Sequence, residues 1–238
     1  MIKVGSVKAL LFDVFGTCVD WRGSIIKEGE ALNARLKTKT DWAALVDAWR
    51  GNYQPSMEKV RAGERPYANL DKLHRETLDV LVRKHGLEHL PEAEIADINR
   101  MWHRLEPWPD TVAGLTRLKK RYIIAPLSNG NVSLLVNMAR RAGLPWDAVL
   151  STELFRKYKP QPETYLGAAQ LLGIAPGETM MVAAHNSDLA AASALGLRTA
   201  FVPRPSEYGP GQKTDLAPER PWDIVAPDFN ALAAALDC

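Results

Sequence analysis

A chain of 238 residues, 46% hydrophobic and 24% charged, is long enough for one substantial core with a modest inserted domain. The formal net charge of +2 gives no basis for a nucleic-acid-binding reading, which would want a clustered basic stripe, and no run of about 18 apolar residues points to a membrane span. The two cysteines, Cys18 and Cys238, make no disulfide framework, and the N-terminus MIKVGSVKALLFD reads as the approach to a buried strand rather than a signal peptide, so a cytoplasmic protein is expected.

In chain order, the first apolar run, Ala9–Phe12, has the length and composition of a fully buried strand. The next segment, residues 21–106, shows no convincing strand. Trp42, Leu45, Val46, Trp49 and Tyr53 recur at helical spacing, as do Leu70, Leu73, Thr77, Leu78 and Leu81. Four or five helices are expected there, with linkers near Trp21–Ser24 and Leu105–Asp110. Alternation then sets in: a helix over Pro109–Lys120, a strand over Tyr122–Leu127, a weaker strand at Ala148–Ser151 and a helix over Pro162–Leu172. A strand at Thr179–Ala183, an alanine-rich helix at Leu189–Leu195, a strand at Thr199–Val202 and a last short strand at Asp223–Val225 complete it. This pattern predicts an α/β protein with a doubly wound parallel, Rossmann-like sheet (residues 1–20 and 107–238) and an inserted helical cap domain (residues 21–106). The proline- and glycine-rich stretch Pro203–Pro221 lacks periodicity; a loop that long is either functional or simply mobile, and the plain mobile connection is the favoured reading.

Open α/β sheets bind ligands at the carboxyl ends of their strands, so the residues following each apolar run are the candidates for chemistry. Four polar groups stand out: Asp13 with Thr17, Ser128 with Asn129, Lys159, and Asp188 in the stretch AAHNSD. Taken singly, a carboxylate after a strand is as well explained as a helix cap, and Ser-Asn as turn chemistry. A doubly wound sheet would gather all four at one rim.

DVFGT at Asp13–Thr17, LSNG at Leu127–Gly130, YKPQPETY at Tyr158–Tyr165 and the Asp188 region, in this order, resemble the four motifs of the haloacid dehalogenase superfamily. The resemblance spans nearly the whole chain, because this superfamily places its cap after the first motif. Phosphatases of the superfamily carry a second aspartate two residues after the nucleophile to protonate an alkoxide leaving group. Here that position is Phe15, which donates no proton. A halide leaves unaided. Phosphatases also place a magnesium ligand four residues before the position of Asp188, where this chain has Ala184. Both departures favour the type II 2-haloacid dehalogenases, in which an arginine of a Trp-Arg pair in the cap receives the halide. Trp49–Arg50 occupies the matching place. An ordinary solvated arginine is the alternative.

The resemblance implies a cofactor- and metal-free hydrolase of small 2-haloalkanoic acids, with halide ion as its other small partner. Asp13 would attack C2 with inversion, and water would then hydrolyse the aspartyl ester. Lys159 would keep Asp13 ionised. Thr17, Ser128, Asn129 and the backbone of Val14 and Phe15 would surround the nucleophile and the substrate carboxylate. Tyr165 would lie near the site, although plain helix packing accounts for it equally well. Asp188 is the leading candidate for activating water. Many type II enzymes have a serine and an asparagine upstream of that aspartate, where this chain has Ala183 and His185. His185 could be a base, a water-orienting group or a structural residue. Cys18 reads as a small buried residue. The rival readings are a phosphatase of the same fold, a hydrolase opening another electrophile such as a strained cyclic amino acid, and a carboxylate-binding protein without turnover. A homodimer is consistent with the resemblance and has no direct signal in the sequence.

Overall fold

The computed structural model describes residues 6–238, so the start of the segment read as the approach to the first strand lies outside the described residues. β1 (Ala9–Phe12) is buried along its whole length, as an apolar strand with both faces covered must be. The chain then makes a tight turn into β2 (Val19–Asp20), and α1 (Trp21–Leu36) follows at once, with Asp20 as its N-cap accepting from the backbone N–H of Gly23 at 2.8 Å. The linker expected at Trp21–Ser24 is therefore the first turn of a helix. The crossing is made instead by β2 and β3 (Glu106–Pro107), a two-stranded antiparallel ribbon pairing Val19 with Pro107 and Asp20 with Glu106.

Between these two strands lie α2 (Trp42–Gly51), α3 (Tyr53–Arg61), α4 (Leu70–Lys84) and α5 (Glu92–Asn99), followed by a short 3-10 turn. Trp42, Leu45, Val46 and Trp49 form the buried stripe of α2. The helix ends at Gly51 and Tyr53 opens α3, yet Tyr53 is buried in the same core as the stripe.

The rest is alternating: α6 (Thr111–Leu118), β4 (Ile123–Ser128), α7 (Val132–Ala142), β5 (Leu150–Ser151), α8 (Pro162–Leu171), β6 (Thr179–Ala183), α9 (Asn186–Ala194), β7 (Arg198–Phe201), β8 (Ile224–Val225) and α10 (Phe229–Ala235). The six-stranded sheet has the order β5-β4-β1-β6-β7-β8, with every pairing parallel. From β1 the chain winds outward through β4 and β5, then returns to the other side of β1 as β6. The order reverses at β1–β6, and the crevice at such a switch point is where a doubly wound sheet takes its ligand. No helix among the described residues is long and apolar enough to cross a membrane.

The loop at residues 203–221 is not the plain connection its composition suggests. Arg204 is buried; its Nε donates to the carbonyl of Thr17 at 3.0 Å and its other nitrogens form a paired bridge to Asp110 at 2.7 and 2.9 Å. Its guanidinium also lies 4.8 Å from the centre of the Phe229 ring. Bonds to partners this far away in sequence give composition no periodicity to report.

Candidate active site

The switch point places the carboxyl ends of β1 and β6 side by side. Asp13 follows β1 directly, and its N–H donates to the carbonyl of Val182 in β6 at 3.0 Å. Thr17 ties the two ends together: its hydroxyl donates to Asp13 Oδ2 at 2.8 Å and accepts from the backbone N–H of Ala184 at 2.9 Å. Because the hydroxyl accepts from a fixed amide, its own proton is aimed at Asp13.

Lys159, on the approach to α8, spans two carboxylates. Nζ lies 2.9 Å from Asp13 Oδ1 and 2.5 Å from Asp188 Oδ2. The lysine is held by its own backbone, whose N–H donates to Asn129 Oδ1 at 2.8 Å. Tyr165 on α8 donates its hydroxyl to Asp188 Oδ1 at 2.6 Å, so this tyrosine does more than pack a helix. Burial alone would raise the Asp13 carboxyl. The Lys159 charge, then the hydrogen bond and charge of His185, outweigh it and hold Asp13 far below the ordinary carboxylate range. Lys159 itself is pushed up, since the two carboxylates overcome the effect of its burial.

Arg50 enters from α2 on the opposite side. Its guanidinium lies over the Tyr53 ring at 4.2 Å and the Trp21 ring at 5.2 Å. It is not the solvated helical arginine of the alternative reading. Its Nη1 is buried and, among the described residues, has no hydrogen-bond partner. Between Arg50 and the Asp13–Lys159 pair lies a cavity of about 400 Å³, which Phe15, Tyr53, Asn129 and Tyr165 also line. That volume suits a small organic acid.

Ser128, expected among the substrate contacts, does not line this cavity, and Val14 offers it the backbone alone. The Ser128 hydroxyl is fully buried at the end of β4 and accepts from the backbone N–H of Gly130 at 3.2 Å, so it shapes the turn. The Val14 side chain is buried in the core. The backbone N–H groups of Val14 and Phe15 have no acceptor among the described residues and remain available to an anion. Phe15 packs edge-on against Tyr53 and Trp102, with ring centres 6.3 and 5.8 Å apart. Cys18 is buried, its thiol donates to the carbonyl of Asp13 at 3.2 Å, and burial pushes that thiol well up, which leaves it unreactive.

His185 precedes α9. Its Nδ1 lies 3.0 Å from Asp13 Oδ2, and its Nε2 lies 3.1 and 2.9 Å from the two carboxylate oxygens of Glu207. Glu207 comes from the 203–221 loop and is only 1% exposed. The same loop brings Tyr208 and Asp215 to the cavity wall. Sequence reasoning missed all three, and it counted Tyr53 only as part of a packing stripe. The nearest available signal was the unusual length of the loop.

The donor set does not fit a magnesium ion. The ammonium of Lys159 stands between the two carboxylates that would share such an ion, Ala184 offers no side-chain oxygen, and Asp13 Oδ2 is committed to Thr17 and His185. Among the described residues, no other group of three His, Cys, Asp or Glu side chains is arranged to hold a metal.

A doubly wound sheet with a helical insertion, an aspartate at its switch point and a lysine between two carboxylates defines a hydrolase class, and the comparisons agree. The family model for haloacid dehalogenase-like hydrolases matches residues 7–196, and the chain belongs to that family. It resembles the type II 2-haloacid dehalogenases within it. It is 31% identical over 205 residues to the (S)-2-haloacid dehalogenase of Xanthobacter autotrophicus, covering 84% of this chain and 77% of that protein. The L-2-haloacid dehalogenase PA0810 superposes with a TM-score of 0.95 at 52% identity, covering 97% of this chain and 99% of that one. The defluorinating L-2-haloacid dehalogenase Rha0230 does so with a TM-score of 0.95 at 51% identity, covering 98% and 96%. A structure of an L-2-haloacid dehalogenase from Xanthobacter autotrophicus with chloropropionic acid covalently bound has a TM-score of 0.79 at 26% identity, covering 97% and 98%.

Proposed function

We propose that this protein hydrolyses (S)-2-haloalkanoic acids to (R)-2-hydroxy acids through an aspartyl ester on Asp13, without a metal. The observation that carries the reading is a buried carboxylate nucleophile, held ionised by Lys159, whose neighbour at position 15 is a phenylalanine with no proton to give. A leaving group in this cavity must depart as an anion that needs no protonation, as a halide does and an alkoxide does not.

The substrate carboxylate is taken by the backbone N–H groups of Val14 and Phe15 together with Asn129. Asp13 attacks C2 from the face opposite the halogen, the carbon–halogen bond breaks with its electron pair, and configuration inverts. Arg50, with an N–H group not yet bonded, receives the halide as its charge develops. Water then adds to Cγ of Asp13. One of its protons passes through Asp188 to the alkoxide oxygen released when the Cγ–O bond breaks, and the other goes to solvent as Asp13 returns to its carboxylate. Asp13 keeps the oxygen of the water, and the product keeps the oxygen of Asp13. The kinship with a defluorinating enzyme supports including fluoroacetate among the substrates.

The test is halide release from fluoroacetate, chloroacetate and both enantiomers of 2-chloropropionate, with chelator present. We expect release from the (S) enantiomer, an Asp13 peptide that gains one heavy oxygen during turnover in H₂¹⁸O, and no release above background from Asp13→Asn. A fully active Asp13→Asn, or turnover that never labels Asp13, would discard the reading.

A further inference from the structure

The contacts of His185 bear on a question that sequence leaves open, namely whether this residue takes a proton from water or does something else. A neutral imidazole has one N–H and one lone pair. Here each ring nitrogen faces a carboxylate: Nδ1 meets Asp13 Oδ2 at 3.0 Å, and Nε2 meets Glu207 at 2.9 Å. A neutral ring would set a lone pair against an anionic oxygen on one side or the other, whereas a doubly protonated ring donates to both. The charges point the same way. The buried groups around the ring are Asp13, Asp188 and Glu207 against Lys159 and Arg50. Asp215, half-buried on the cavity wall and bonded to Asn186, and the Tyr208 phenol are the other titratable groups there, so carboxylates outnumber cations around the ring and favour a positive charge on His185. An incoming substrate carboxylate adds a further negative charge and strengthens that demand.

Glu207 is built into this place. Trp21 Nε1 donates to its Oε1 at 2.9 Å, and Arg50 Nη2 lies 3.8 Å from the same oxygen. Gly16 leaves the room it needs. That residue has φ +85°, and a Cβ added there would lie 2.1 Å from Glu207 Oε1. The carboxylate fills a gap in the nucleophile turn.

We propose that Glu207 is a positioning residue that keeps His185 doubly protonated, so that His185 and Thr17 together form an oxyanion hole on Asp13 Oδ2 for hydrolysis of the ester. Their two donors, at 3.0 and 2.8 Å, converge on that single oxygen. Oδ1, beside Lys159, is then the atom that bonds to C2, and Oδ2 becomes the ester carbonyl. As water adds to Cγ, the carbonyl electron pair moves to Oδ2, where the imidazolium and the Thr17 hydroxyl stabilise it. The proton of the water goes to Asp188, because His185 has no lone pair to accept it. Burial opposes the charge on His185, but Glu207 and Asp13 outweigh it and hold the ring well above the ordinary histidine range, in keeping with this assignment. The inference rests on the dehalogenase reading, and the experiment separates the two.

Glu207→Gln removes the charge and keeps the shape. His185 then titrates lower, and the oxyanion donor weakens as pH rises through its new value. We expect kcat of Glu207→Gln on chloroacetate to fall about 10- to 100-fold at pH 8.5 and to recover by pH 6. Esterified enzyme should accumulate in intact-protein mass spectra, while the first-turnover halide burst changes less than about threefold. If His185 were the base, the variant would instead keep its alkaline rate and, because the base titrates lower, carry that rate to more acid pH than the wild type does. That profile, or an unmoved one, overturns the inference. Nitrogen-15 spectra of histidine-labelled wild-type protein at pH 8 should show both His185 nitrogens protonated, and a neutral tautomer there overturns it equally. This second reading needs no variant to fold and no turnover. A wild type that releases no halide from any 2-haloacid defeats the dehalogenase reading alone.

Discussion

The two walls of the cavity are built on opposite rules. On the sheet side every charged group is already satisfied: Asp13 is bonded by Lys159, Thr17 and His185, and Asp188 by Lys159 and Tyr165. On the cap side Arg50 rests on aromatic rings, and one of its N–H groups has no partner among the described residues. The charged groups of the sheet wall have their partners before substrate arrives, which fixes Asp13 in charge and direction, while the backbone N–H groups of Val14 and Phe15 stay open. The cap wall leaves a donor open in an apolar setting, where a bond to a departing anion is stronger than it would be in water. On the proposed reading, bond-making is preorganised on one wall and a donor for the leaving group is kept open on the other.

Removing Lys159 should break the sheet side most severely. Lys159→Met leaves two carboxylates buried together, and we expect the rate of halide release to fall about 10³-fold. The sign of its pH dependence is also set. Without the lysine, Asp13 binds a proton at higher pH, so alkylation is lost as pH falls through a range where the wild type is still active. Single-turnover halide bursts across pH would show this limb, and an unchanged acid profile would contradict the role given to Lys159.

The cap side should respond more selectively. Arg50→Lys keeps the positive charge but loses the planar fork, and we expect about a 10²-fold loss with chloroacetate. The loss should be larger with fluoroacetate and smaller with bromoacetate, because fluoride leans most on hydrogen bonding. Equal losses for all three halides, compared by kcat/KM, would separate Arg50 from the leaving group.

The smallest effect concerns the cap's own packing. His74 is buried against Trp102, ring centres 4.3 Å apart, and neither ring nitrogen has a partner among the described residues. Burial lowers it to about 3. Its folded value lies below its unfolded one, so the stabilisation from keeping it neutral is full above about pH 6.5 and is lost as pH falls toward 3. His74→Leu should therefore reduce the stability lost between pH 7 and 4.5 by about 2–3 kcal/mol, with kcat at pH 7 changed less than about threefold. Urea unfolding at the two pH values measures it.

Legibility differed between the same two walls. β1 and β6 were readable to the residue, because a strand buried on both faces must be a continuous apolar run. Asp13, Lys159 and Asp188 were readable because each sits in a local motif whose neighbours in sequence set its position. Tyr53 does pack in one core with Trp49 as its spacing suggests, but the helix break at Asn52 and its second role on the cavity wall beside Arg50 were not readable, because neither interrupts the apolar spacing. Ser128 was expected at the substrate because of its place at the end of β4, yet its hydroxyl is buried and accepts from the backbone N–H of the turn at Gly130.

The sequence by itself determined the succession of the main strands along the chain, the aspartate that follows the first of them, its lysine and the want of an acid at position 15. Those properties depend on local pattern and on which side chains are present. Tertiary structure alone decided that a glutamate in an aperiodic loop would close on a histidine and a tryptophan, the latter 186 residues away. Protonation and orientation are set by whichever groups come within a few ångströms, and chain distance carries no information about that.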